Sequence, residues 1–258
     1  MRLMKRILSA AAVLALSASL LVGCSSGTAS SVPVSASSAA ESTVSSVEET
    51  ASSAVDENEA AAAQLLNDLT GSYQELWPVI LADEYKQTWL DDCTALVGED
   101  NAEAAFEKLS SMVTGDVYGE DAVKAYANGG GAYFCGFTNS LAILTFDGET
   151  STISGTDKDG NALFSHTYHY IGMEPVHGLY EFESDDADSG EFTYFFLAPD
   201  TSAETYHIEF RYGSDAEALS QYDAGEYAYW VASGISTDCD QTMIDNCIEL
   251  FCTENLAG

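Results

Sequence analysis

The stretch Glu204-Thr205-Tyr206-His207-Ile208-Glu209-Phe210-Arg211-Tyr212 (ETYHIEFRY) alternates strictly. Tyr206, Ile208, Phe210 and Tyr212 make one apolar row. Thr205, His207, Glu209 and Arg211 make a polar one. A period of two is the mark of a β-strand with unlike faces. The surrounding sequence repeats the theme in short runs. Ala132–Thr138, Leu141–Phe146, Thr150–Thr156, Leu163–Met173, Gly178–Glu183 and Phe192–Leu197 read as strands, with one more near Glu226–Val231. Asp147-Gly148 and Asp159-Gly160-Asn161 are hairpin turns. Antiparallel strands at this spacing predict a barrel or sandwich.

Upstream of Gly129-Gly130-Gly131 the pattern is helical. Asn58–Leu69 is rich in Ala. Residues 82–97 place Tyr85, Trp89, Leu90, Cys93, Leu96 and Val97 at steps of three and four. Asn101–Val113 and the short Asp121–Ala127 follow. Downstream of the strands, Asp240–Cys252 turns Met243, Ile244, Cys247, Ile248 and Phe251 to one side. The expected fold is mainly β, an antiparallel barrel with a helical N-terminal part and a C-terminal helix.

Ser25–Ala54 is Ser-rich and without aromatic residues, so it buries too little to fold. As a flexible tether it would span about 30 Å. Before it, Arg2, Lys5 and Arg6 precede the apolar run Ile7–Val22, a secretory signal too short and too rich in Ala and Ser for a membrane span. Leu21-Val22-Gly23-Cys24 resembles the bacterial lipobox, which implies cleavage after Gly23 and lipidation of Cys24. The expected organisation is a signal peptide over 1–23, a lipidated Cys and tether over 24–57, and a folded domain over 58–258. The expected location is extracytoplasmic, with the lipid as the one membrane contact.

Of the 258 residues, 42 are Asp or Glu and 8 are Lys or Arg, a net charge of −34. Such acidity excludes a nucleic-acid partner, which needs clustered cations. Catalytic signatures are absent: no nucleophile elbow, no phosphate loop, no His-Glu-x-x-His. We therefore expect no enzyme. Asp157-Lys158-Asp159-Gly160-Asn161 has the Gly too early for a calcium loop, and Tyr168 stands where that loop needs Glu. A tight hairpin fits it better. Apart from Cys24 the cysteines are Cys93, Cys135, Cys239, Cys247 and Cys252. They form no C-x-x-C, and they read as buried thiols or one or two disulfides. His166 and His169, three apart on one strand, face opposite ways. His207 and Glu209, two apart on the polar row of the opening strand, can chelate one cation. The competing reading is a solvated face with Glu209 paired to Arg211 or across the sheet.

Leu69-x-Gly71-x-Tyr73-Gln74-x-x-Trp77-Pro78 resembles the opening of the ZinT (YodA) domain. Phe195-Phe196-Leu197-Ala198-Pro199, Tyr206-His207-Ile208, Tyr212-Gly213-Ser214-Asp215, and Tyr229-Trp230 through Ile235-Ser236 are similar to its final strands. The resemblance runs from Leu65 to Glu254. It implies a calycin-like, lipocalin-related β-barrel that binds zinc outside the cytoplasm and assists a zinc ABC transporter and its binding protein. Of the family's three zinc histidines, one falls on Phe195, one on Thr205 and one on His207. Phe195 cannot ligate and Thr205 is a poor zinc ligand. The implied metal site is therefore eroded to His207 with Glu209, and His166, His169 or an Asp or Glu elsewhere are the further candidates in support. Loss of the metal site would instead suit a small apolar ligand in the barrel, or a surface module that binds neither.

Overall fold

The structure is a computed structural model that describes residues 57–199 and 207–257. The leader, Cys24 and the tether lie outside the described residues, as do Thr205 and Tyr206. Eight strands form a closed barrel, each antiparallel to its neighbour in chain order. They are β1 (Gly71–Glu75), β2 (Ile143–Asp147), β3 (Thr152–Thr156), β4 (Ala162–Met173), β5 (Tyr180–Ser184), β6 (Tyr194–Leu197), β7 (His207–Gly213) and β8 (Ala232–Ser236). The pairing of β8 with β1, Tyr73 opposite Ser236 and Glu75 opposite Gly234, shuts the ring. This is the calycin-like architecture expected from the sequence.

Helix α1 covers 57–68. Its Ala62, Leu65 and Leu66, with Leu69 just beyond, join the barrel core. Between β1 and β2 the chain makes a helical excursion: α2 (Leu76–Ile80), a 3₁₀ turn (Asp83–Tyr85), α3 (Lys86–Val97), α4 (Glu99–Val113) and α5 (Glu120–Ala127). A single turn of helix, α6 (Ala216–Leu219), follows β7, and α7 (Gln241–Leu256) ends the described chain. The Asp240 side chain accepts from the Met243 amide and starts α7. Two cores result. One fills the barrel, with Phe146, Phe182, Phe195, Phe210 and Tyr212 among its members. The other lies outside it, where Leu76, Trp77 and Ile80 of α2, Trp89 and Cys93 of α3, and Ile244, Ile248 and Phe251 of α7 pack together with Ile235 of β8. No helix among the described residues is long and apolar enough to cross a membrane.

Two expected strands are displaced. Residues 132–138 form no strand; Phe134 alone makes isolated bridges, antiparallel to Thr114 and parallel to Trp230. That segment turns into the barrel instead. Phe137 packs on Phe210 with ring centroids 5.3 Å apart, and its amide donates to Glu75 Oε1 at 2.6 Å. The Thr138 amide donates to the Tyr212 hydroxyl at 2.6 Å. The strand expected near Glu226–Val231 lies further on, at Ala232–Ser236. Gly225 and Tyr229 have φ of +81° and +56°, which breaks an extended run. The Tyr229 ring is spent stacking on Tyr126 at 3.6 Å. The hairpin over 157–161 is as expected: the Asp157 carboxylate accepts from the amides of Asp159 and Asn161 at 2.9 and 2.8 Å. These bonds hold it below the usual carboxylate range, the Asn161 side chain contributing most.

Candidate functional site

Strand parity decides what β7 can do. Ile208, Phe210 and Tyr212 point into the barrel, and Phe195 of β6 stands opposite Tyr212 on the same face. His207, Glu209 and Arg211 therefore point outwards. The outward face is not a solvated one. Glu209 is 9% exposed and Arg211 fully buried. Helices α2 and α7 cover one half of it, and the chain between β7 and β8 covers the other.

The first half holds the predicted pair. His207 and Glu209 line one small cavity of about 20 Å³ with Leu76, Trp77 and Ile80 of α2 and Cys247, Leu250, Phe251 and Glu254 of α7. That volume suits one water molecule or one ion. Cys247 and Glu254 are seven apart, two turns along one stripe of α7. They bring a thiol and a second carboxylate to the wall. Cys247 is expected from its spacing only as a buried thiol or a disulfide partner, not as a lining residue here. Glu254 carries no signal of its own; its heptad spacing from Cys247 would have found it once Cys247 was placed.

Zinc takes imidazole, thiolate and carboxylate donors, and protein sites normally supply three or four of them. The donor types fit. Their assembly is looser: among the described residues no three His, Cys, Asp or Glu side chains are gathered into a metal-holding cluster. His166 and His169 do not line this cavity. They lie on opposite faces of β4, as expected, and each is taken by an aspartate. His166 Nδ1 is 2.8 Å from Asp186 Oδ2, and His169 Nδ1 is 2.7 Å from Asp185 Oδ1. Phe195 is sealed inside the barrel, its ring 5.4 Å from both Tyr168 and Tyr212. It faces away from His207, so the positions carried over by resemblance do not converge. The barrel interior there is filled by the protein's own aromatic rings, Phe164 on Phe192 at 3.9 Å and Phe192 on Tyr212 at 5.5 Å.

The second half is built around Arg211, which the strand pattern alone assigns to a polar surface. Its guanidinium donates to the carbonyls of Leu219, Gln221 and Tyr227. It also lies over the Tyr222 ring, 4.1 Å from the centroid. Burial pulls its ionisation downward, opposed by Tyr222 and by the charge of Glu174. Glu174 is itself fully buried. Burial pushes its carboxyl up, but the His177 ring and the amides of His177 and Val176 outweigh that. They hold it below the ordinary range. His177 stacks on Tyr222 at 3.6 Å. The cluster is a polar girdle outside the barrel, in which Arg211 Nε, His177 Nδ1 and the Tyr222 hydroxyl are buried without a hydrogen-bond partner among the described residues.

No family model matches the sequence, and no curated protein matches it. Among solved structures, the chain is similar to the Zn(II)-bound ZinT-like domain of Streptococcus pneumoniae AdcA. The identity is 16%, with a TM-score of 0.45 over 71% of this chain and 89% of that one. It is also similar to Zn(II)-bound AdcA of the same organism at 14% identity and a TM-score of 0.43, over 72% of this chain and 35% of that one.

Proposed function

We propose that the protein is a non-catalytic, lipid-anchored binder of a divalent cation, zinc by preference, at the cavity between β7 and α7. The observation that carries this reading is that His207 and Glu209 share one outward face and line one ion-sized cavity with Glu254 and Cys247. Imidazole and carboxylate together suit zinc better than calcium or magnesium, which favour all-oxygen shells. With two principal protein donors, water completes the coordination and the affinity falls below that of a three-histidine site. A role beside a zinc ABC transporter rests on the ZinT resemblance of the sequence.

Isothermal titration of zinc into the secreted form, beginning after Cys24, tests this against His207→Ala and Glu209→Gln. Wild type is expected to bind one zinc. His207→Ala is expected to lose more than the 10–100-fold typical of changes to groups that merely orient a ligand. Protons compete for the imidazole, so binding also weakens in acid. Unchanged affinity in the mutant, or no binding by wild type at submillimolar zinc, would overturn the site.

The anchor is proposed from Leu21–Cys24. Cys24→Ala is expected to abolish palmitate labelling and to leave the protein either unprocessed or free of the membrane. Labelling that persists in the mutant would refute lipidation at Cys24.

A further inference from the structure

The seam between α3 and α7 brings two cysteines together. Cys93 Sγ and Cys252 Sγ are 3.9 Å apart, and both residues are wholly buried. All five cysteines among the described residues are thiols. This pair stands out because rigid rings fix both its helices. Trp89, one turn before Cys93, packs edge-on against Phe251, the neighbour of Cys252, with centroids 6.0 Å apart. Phe251 also meets Trp77 of α2 at 4.7 Å. The sulfurs therefore face each other across a seam with little freedom to part.

We infer that Cys93 and Cys252 form a disulfide when the protein matures on the oxidising side of the membrane. The sulfurs need to close from 3.9 Å to the bonded distance of about 2.05 Å, within reach of side-chain rotation. Two thiol S–H bonds break and one S–S bond forms. Two electrons and two protons pass to the disulfide of a thiol–disulfide oxidoreductase or of a small molecule, which leaves as two thiols. The route is a mixed disulfide on one cysteine that the other displaces. Burial pushes both thiols away from the reactive thiolate. The exchange therefore belongs to the stage before α7 docks, and the finished bond resists reduction. Cys135, Cys239 and Cys247 stay out of it. The bond closes a loop that holds every strand except β1 and ties the last helix back to the first half of the chain.

The test takes the full chain, exported by its own signal and extracted in detergent, beside the same chain refolded in reduced and oxidised glutathione. Peptic peptides containing Cys93 and Cys252 should be recovered joined, and reduction should separate them. Reduction is expected to lower the thermal midpoint by about 5–10 °C. Cys93→Ala and Cys252→Ala should each abolish that sensitivity, while Cys239→Ala keeps it. Both cysteines alkylated as free thiols in both preparations would overturn the inference. So would either one joined to a different cysteine. Peptide recovery from wild type needs no variant to fold. A joined pair after refolding but not after export would assign the geometry correctly and refute maturation in an oxidising compartment.

Discussion

Arg211→Ala is expected to cost about 3–5 kcal/mol, a large share of the 5–15 kcal/mol that stabilises a typical domain. The guanidinium is the donor for the carbonyls of Leu219, Gln221 and Tyr227, all on the chain that covers β7. Each buried acceptor left without a donor costs about 1–3 kcal/mol. Alanine also opens a hole beneath the Tyr222 ring and removes the positive charge that Glu174 favours. Arg211→Lys should recover little, because one ammonium cannot span three carbonyls and stack flat on an aromatic ring. Urea unfolding of the three proteins measures this. An alanine variant within 1 kcal/mol of wild type would mean that the covering chain does not depend on the arginine.

Trp89→Ala is expected to cost a comparable 3–5 kcal/mol. The indole is fully buried between the Phe106 and Phe251 rings, at 5.7 and 6.0 Å. Its Nε1 donates to the Ile80 carbonyl at 2.7 Å, just where α2 ends. Trp89→Phe divides the effect: it keeps most of the ring contact and loses the hydrogen bond, so about 1–3 kcal/mol should go with the orphaned carbonyl. If alanine and phenylalanine prove equally costly, the hydrogen bond and not the packing holds α3 to α2. If neither costs more than 1 kcal/mol, the helical core is not a cooperative part of the fold.

The barrel was legible where alternation met a clear turn, as in β2, β3, β4 and β7. Its two closing strands were not. β1 is Gly-Ser-Tyr-Gln-Glu, five residues between two helices with no apolar alternation. β8 is Ala-Ser-Gly-Ile-Ser, whose small residues have weak strand preference. Their reason is tertiary: a side chain at Gly234 would meet Ile208 Cγ1 at 3.1 Å and the Phe137 ring at 3.4 Å. Such crowding is invisible in a local window. The pairing of His207 with Glu209 on one face was readable from parity. That the face is covered was not, since helices from both ends of the chain do the covering. The same parity shows that Phe195 and His207 cannot share a site, which a position-by-position carry-over does not reveal.

The barrel's last seam joins residues 71–75 to residues 232–236, so the ring cannot close while the chain is still being delivered. Until then β1 offers one unpaired edge and the newest strand another. Bare edges of this kind recruit other chains. Any chain delivered from its N-terminus lives in that open state until its final segment has emerged. Contacts so distant in sequence form slowly. The heavy surplus of negative charge gains a second use here. Forty-two carboxylates against eight cations make every unfinished copy repel its neighbours, through the interval when its edges are bare.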